Sequence, residues 1–127
     1  MNQEQAAHKL LQAAEGVGLI PALYSVFGKR VEVRIPFDSS ACETHLDVVE
    51  LSPRAIHSLK RAGVFTVGGV IDLAAEDRLL SIRCLGKKTQ SEIKTRLLVF
   101  GYERLTAAEK LRFFCDVLRL NTEGPSS

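Results

Sequence analysis

Apolar residues recur every three or four positions through most of this 127-residue chain, which is the spacing of one face of an α-helix. The first such stretch predicts a helix over residues 3–15, ended by Gly16. From residue 29 to 37 the spacing changes to alternation, with Val31, Val33 and Ile35 set between charged residues, and this predicts a half-buried strand. No good second strand is visible, so either residues 18–27 supply one or the strand pairs with another chain.

The stretch from residue 48 onward carries clear helix start and stop signals. Ser52 followed by Pro53 is typical of an N-cap and a first helical position, and Gly63 ends the predicted helix. Thr66 caps a second short helix that is predicted to run to about Leu73. These signals indicate short helices joined by tight turns.

Residues 74–82 predict a further short helix with its apolar side chains inward, and residues 87–100 predict a longer one that Gly101 ends. The predicted fold class is therefore mainly α: a compact bundle of four to five short helices over residues 48–103. The loop between the last two helices gives this bundle a helix-hairpin-helix-like element. We predict no strand in this part of the chain.

Two flanking segments complete the predicted organisation. Residues 1–47 are predicted to be an accessory N-terminal extension, a helix plus the strand, joined to the bundle by a small, polar linker over residues 38–43. Thr106 and Glu109 form a capping-box pattern, so residues 104–127 are predicted to be a C-terminal helix with a frayed tail. The unpartnered strand also makes residues 1–47 a candidate surface for self-association.

Composition excludes several classes of protein. The chain is 46% hydrophobic and 25% charged, its net charge is +2, and no apolar run approaches the ~18 residues of a membrane span. The N-terminus has no signal-peptide pattern, and three widely spaced cysteines suit free thiols in a reducing cytoplasm. Cys42 and His45 have the spacing of half a zinc site, but no second pair follows, so neither a metal nor a cofactor is predicted.

Positive charge concentrates where the helices are clearest. Between residues 50 and 97 nine Lys and Arg stand against five Asp and Glu, a local net charge of +4. Within it, Gly86, Lys87, Lys88 and Thr89 come directly at the start of a predicted helix. A helix start presents unpaired N–H groups and the positive end of the dipole, and glycine lets a backbone approach closely, so this tetrapeptide indicates a phosphate contact.

Two longer stretches, "VVELSPRAIHSLKRAGVFTVGGVIDL" and "LLSIRCLGKKTQSEIKTRLLVFGY", resemble the C-terminal domain of the bacterial RNA polymerase alpha subunit. The family pattern has Glu-Leu-(Ser/Thr)-x-Arg-(Ser/Ala)-x-Asn-x-Leu-Lys, then Gly-Asp-Leu, then Leu-Gly-Lys-Lys-Ser-x-x-Glu-Ile-Lys. The resemblance covers about residues 46–102. It implies a compact helical domain that binds the minor groove of A·T-rich DNA and contacts activators and sigma factor. It also implies a stand-alone or shuffled copy, because 47 residues cannot supply the family's N-terminal assembly domain.

The resemblance assigns roles position by position. Arg54 falls on the arginine that enters the minor groove, while Gly86, Lys87, Lys88 and Thr89 fall on the backbone-contacting helix start. His57 and Cys84 stand where the family has two asparagines that contact DNA, and one extra residue lies between Gly69 and Leu85. These replacements predict weak binding. Glu92 falls on the family glutamate of the same helix and is a candidate protein contact.

Three function classes follow. The first is a non-enzymatic module for double-stranded DNA in transcription or its regulation, because no Ser/His/Asp arrangement, carboxylate pair or P-loop is visible. The alternative is an interaction domain that docks on RNA polymerase, sigma factor or a regulator without binding DNA. A helix-hairpin-helix unit of a nuclease or repair enzyme fits the phosphate contact but not the longer motif.

Overall fold

The computed structural model describes residues 2–28, 30–73, 79–82 and 88–122. Along the chain it contains α1 (Gln3–Val17), α2 (Leu19–Phe27), β1 (Val33–Pro36), α3 (Ser39–Cys42), a 3₁₀ helix (Leu46–Val48), α4 (Pro53–Arg61), α5 (Val67–Leu73), β2 (Leu79–Ile82), α6 (Lys88–Glu103) and α7 (Ala107–Thr122). Helices dominate, which confirms the mainly α fold class. In the part of the chain that is described, no helix is long and apolar enough to cross a membrane.

Local capping chemistry forms as the sequence predicts. The Ser52 side chain accepts a hydrogen bond from the Ala55 amide at 3.2 Å and so caps α4. Thr106 and Glu109 form the reciprocal capping box at the start of α7, with N–O distances of 2.9 and 3.2 Å. Gly63 has a φ of 83°, the left-handed conformation that ends α4. These starts and stops depend on contacts within a few residues, which is why local patterns identify them.

The strand near the N-terminus is confirmed, and its partner lies inside the predicted helical bundle. β1 pairs antiparallel with β2, with Val33 opposite Ile82 and Ile35 opposite Leu80. The predicted helix over residues 74–82 is therefore wrong at Leu79–Ile82, and residues 74–78 lie outside the described part. A short apolar run fits either a helix or a strand, and here pairing with β1 decides the outcome.

Three other expectations for residues 1–47 are corrected. Gly16 does not end the first helix, because α1 continues to Val17 and its C-cap is Gly18. Residues 18–27 are not a strand, because Leu19–Phe27 forms α2, in which Pro21 falls in the first turn where its missing N–H costs nothing. The predicted linker over residues 38–43 contains α3, whose first turn is capped by the Asp38 carboxylate at 2.7 Å from the Ala41 amide. The N-terminal segment is thus regular structure through most of its length.

Gly101 does not end a helix, as its residue type predicts, but lies buried within α6. A Cβ atom on Gly101 would stand 2.9 Å from a ring carbon of Phe37 and 3.1 Å from Ile35 Cδ1. Such distances are shorter than ordinary carbon contacts. Gly101 therefore allows the backbone of α6 to approach β1 and the residue that follows it.

All three sequence segments contribute to one cluster of buried apolar side chains. Leu10 and Leu23 from the N-terminal helices, Leu97 from α6 and Phe114 from α7 belong to it. The alternation in β1 is the predicted one, with Val33 and Ile35 buried and Arg34 exposed. The Phe113–Phe114 pair lies in this core. The boundary predicted after residue 47 stays a prediction, and deletion of the segment tests it.

Candidate nucleic-acid interface

Helix α4 divides into a buried side and a basic exposed side. Ala55 and Leu59 are buried, which orients the helix on the core. Arg54, His57 and Arg61 are exposed, and their spacing of three and seven residues puts them on one helical face. Arg54 has no hydrogen-bond or ion-pair partner within the described ranges.

The start of α4 is fastened to α6 by one carboxylate. Glu92 Oε2 accepts a hydrogen bond from the Ser52 amide at 2.6 Å, and Glu92 Oε1 accepts one from the Ser52 hydroxyl at 2.9 Å. Ser52 is the N-cap of α4, two residues before Arg54, and Glu92 lies one helical turn after Lys88. The contact therefore brings the first turns of α4 and α6 together.

Helix α6 begins with the residues that the sequence assigns to a phosphate. Lys88 is its first residue and is exposed, and Thr89 is half-buried. No ion-pair partner of Lys88 lies among the residues that the structure describes. Cys84, Gly86 and Lys87, the other predicted contacts in this stretch, lie outside the described residues.

Two other cations on these helices are paired. Lys60 Nζ lies 3.3 Å from an Asp47 carboxylate oxygen, and Arg96 lies 4.0 Å from Glu50. Both pairs are well exposed and contribute little to stability. Their pairing leaves less of the positive charge of Lys60 and Arg96 for a ligand, whereas Arg54 and Lys88, like Arg61 and Lys94, have no ion-pair partner among the described residues.

An open groove of about 610 Å³ runs along α6 beside the first turn of α2. Lys88 and Arg96 line it, but so do Glu92 and Glu103. Since both signs of charge are present, the groove has no strong preference for an anion. The exposed starts of α4 and α6 are the better candidate surface.

Comparison with known sequences agrees with this geometry. The profile of the family described as the C-terminal domain of the bacterial RNA polymerase alpha subunit matches residues 37–98, the span from the end of the β1 region to the middle of α6. Residues 37–98, just under half of the chain, match this family, and we call them the family segment. The segment is thus a transcription-related module, and both α4 and the first turn of α6 lie inside it.

Curated RNA polymerase alpha subunits are among the relatives. The DNA-directed RNA polymerase subunit alpha of Roseiflexus sp. (strain RS-1) is 40% identical over 60 residues, 47% of this chain and 18% of that protein. The subunit of Aquifex aeolicus (strain VF5) is 35% identical over 85 residues, 64% of this chain and 26% of that protein. The matched region thus spans about a fifth to a quarter of these relatives' length. No solved structure matches the sequence significantly.

Two features of this surface were not predicted from the sequence. Arg61 shares the exposed face of Arg54, and the helical spacing alone could have identified it. The Ser52–Glu92 contact joins residues 40 positions apart, and no local pattern reveals such a pair. Glu92, predicted as a protein contact, has both carboxylate oxygens engaged by Ser52.

Proposed function

We propose that the family segment of this protein is a non-enzymatic module that binds double-stranded DNA in bacterial transcription. In this proposal Arg54 enters the minor groove of A·T-rich sequence, and the first turn of α6 holds a backbone phosphate through Lys88 and Thr89. The observation that carries it is a pair of exposed cations, Arg54 and Lys88, with no partner among the described residues, on two helix starts that Glu92 and Ser52 join.

The chemistry of each residue suits its proposed role. A narrow A·T minor groove has enhanced negative potential, and a guanidinium loses less hydration than an ammonium when it enters such a groove. A phosphate suits the first turn of α6, because free N–H groups, the helix dipole and the Lys88 charge all favour an anion there. His57, on the Arg54 face, is a second candidate groove contact, and Cys84, Gly86 and Lys87 complete the proposed DNA contact.

The test compares A·T-rich and G·C-rich duplexes by fluorescence anisotropy at low salt. We expect Arg54→Ala to remove a discrimination of about tenfold to a hundredfold, and Arg54→Lys to restore part of it. Lys88→Ala should weaken both duplexes equally and reduce the salt slope by about one unit. Arg112→Ala, which removes the same charge from an exposed position on α7, is the control. Equal binding of both duplexes by the unchanged protein would refute the groove contact.

One observation favours a second candidate function, docking on a protein. Val48 and Phe65 are 65% and 48% exposed, and Val48 lies two residues after Leu46, whose amide donates to the Phe65 carbonyl at 3.0 Å. An apolar surface of this kind suits RNA polymerase, sigma factor or a regulator as partner. Both functions place the protein in the cytoplasm. Self-association through residues 1–47 is a further proposal, and sedimentation of the protein tests it.

A further inference from the structure

We infer that Glu92 is a positioning residue: by holding the N-cap of α4, it fixes the backbone from which Arg54 reaches the DNA. This inference rests on the proposed function, because it assigns Glu92 a part in A·T recognition. It differs from the expected role in protein contact. Both carboxylate oxygens of Glu92 are committed to Ser52, at 2.6 and 2.9 Å.

The contact between Glu92 and Ser52 continues through a second hydrogen bond to Ala55. The Ser52 hydroxyl donates a hydrogen bond to Glu92 and accepts one from the Ala55 amide at 3.2 Å. Hydrogen bonds to an ionised acceptor are shorter and stronger than neutral ones. The carboxylate therefore fixes the rotamer of the capping hydroxyl, and its negative charge stabilises α4 by interacting with the positive N-terminal end of the helix dipole.

The backbone of Arg54 is held on both sides as a result. Ser52 is bonded to Glu92, Pro53 has a fixed φ, and Ala55 is fully buried. Since a contact group loses affinity when its support is loose, a rigid first turn lowers the cost of placing the guanidinium in a narrow groove.

The same carboxylate sets the relation between the two proposed DNA contacts. Glu92 is four residues after Lys88, so the two lie one above the other on α6. Through Ser52, Glu92 ties the phosphate-binding start of α6 to the groove-binding start of α4. A shift between the two starts would move Arg54 off the groove while Lys88 stays on the backbone.

Glu92→Ala tests the inference, with Glu103→Ala as the matched control. Both variants remove one negative charge from α6, and Glu103 is exposed with no hydrogen-bond partner in the described part of the chain. Loss of negative charge alone should tighten binding to every duplex and leave the A·T to G·C affinity ratio unchanged. Loss of positioning should reduce that ratio by about threefold or more, since one groove contact supplies about tenfold to a hundredfold.

Two further variants separate positioning from general damage to the fold. In an Arg54→Ala background Glu92→Ala should leave the ratio unchanged, because Glu92 acts through Arg54. Glu92→Gln keeps one acceptor oxygen and should retain part of the ratio. If Glu92→Ala changes the ratio no more than Glu103→Ala does, or changes it equally without Arg54, the inference is overturned.

A measurement without DNA distinguishes this failure from failure of the proposed function. Hydrogen exchange of the Ser52 and Ala55 amides should be slow in the unchanged protein and faster in Glu92→Ala, with no change in Glu103→Ala. Fast exchange of both amides in the unchanged protein would show that Glu92 does not hold the N-cap of α4. Slow exchange together with equal binding of A·T-rich and G·C-rich duplexes would overturn the proposed function, and with it the role of Glu92 in recognition.

Discussion

Substituting Gly101 by alanine tests the packing of the N-terminal strand on α6. The added Cβ would stand 2.9 Å from Phe37 Cε1 and 3.1 Å from Ile35 Cδ1. Phe37 and Ile35 are 3% and 0% exposed, so both side chains are surrounded by other core atoms. The substitution therefore forces a shift between α6 and the β1 region.

Two opposing contributions determine the size of the effect. Alanine is better than glycine within a helix by about 1 kcal/mol. Inserting a methyl group into a filled core costs about 1–3 kcal/mol. We therefore expect Gly101→Ala to lower the free energy of unfolding by about 1 kcal/mol, and to lower Tm by roughly 3–5 °C for a protein of this size.

Gly16→Ala is the matched control in urea and thermal unfolding followed by circular dichroism. Gly16 also lies in a helix, but a Cβ there meets nothing within 4 Å. It should therefore gain about 0.5–1 kcal/mol from helix propensity alone. If Gly101→Ala stabilises the protein as much as Gly16→Ala does, α6 does not approach Phe37 and Ile35 as closely as described, and the reasoning fails.

Two other predictions concern the core. Removing residues 1–40 should abolish cooperative melting, because it deletes seven large buried side chains worth about 1.5–3 kcal/mol each, whereas a typical total stability is about 5–15 kcal/mol. These side chains are Leu10, Leu19, Leu23, Val31, Val33, Ile35 and Phe37. A cooperative transition in the shortened protein would instead support the boundary after residue 47. Tyr102→Phe should raise the free energy of unfolding by about 1 kcal/mol, since the buried Tyr102 hydroxyl has no partner within the described residues. Burial, and to a smaller extent the charge of Glu15, raises the pKa of Tyr102 from 10.0 to about 12 in the folded protein. The unfolded chain therefore loses the Tyr102 proton first, and the free energy of unfolding of the unchanged protein should fall between about pH 10 and 12 relative to that of Tyr102→Phe. Urea unfolding over this pH range measures the difference.

Local chemistry accounts for what the sequence predicts well. The caps at Ser52 and Thr106 and the stop at Gly63 each depend on groups within three or four positions. The same holds for the exposed face of α4, because a proline start fixes the helix phase and Arg54 follows directly. An accurate helix phase is enough to separate the buried residues of α4 from the exposed ones.

Distant partners account for what the sequence does not reveal. Leu79–Ile82 becomes a strand because β1, more than 40 positions earlier, offers it a partner. Gly101 lies inside a helix because Phe37 and Ile35 occupy the space beside it. In both cases local propensity is weak, and the competing contact forms between segments that are far apart in the sequence.

Helix α6 links the proposed DNA contact to the part of the core that contains β1. Lys88 lies in its first turn and Glu92 one turn later, and the proposed DNA contact uses both residues. Gly101, near the other end of α6, packs against Ile35 of β1 and against Phe37. These sites are 13 residues apart, or about 20 Å along the helix axis. The family match ends at residue 98, so the proposed contact lies inside it while β1 and Gly101 lie outside. A change at Gly101 should therefore alter stability without altering the A·T to G·C affinity ratio, and a change at Glu92 should alter that ratio even where the fold persists.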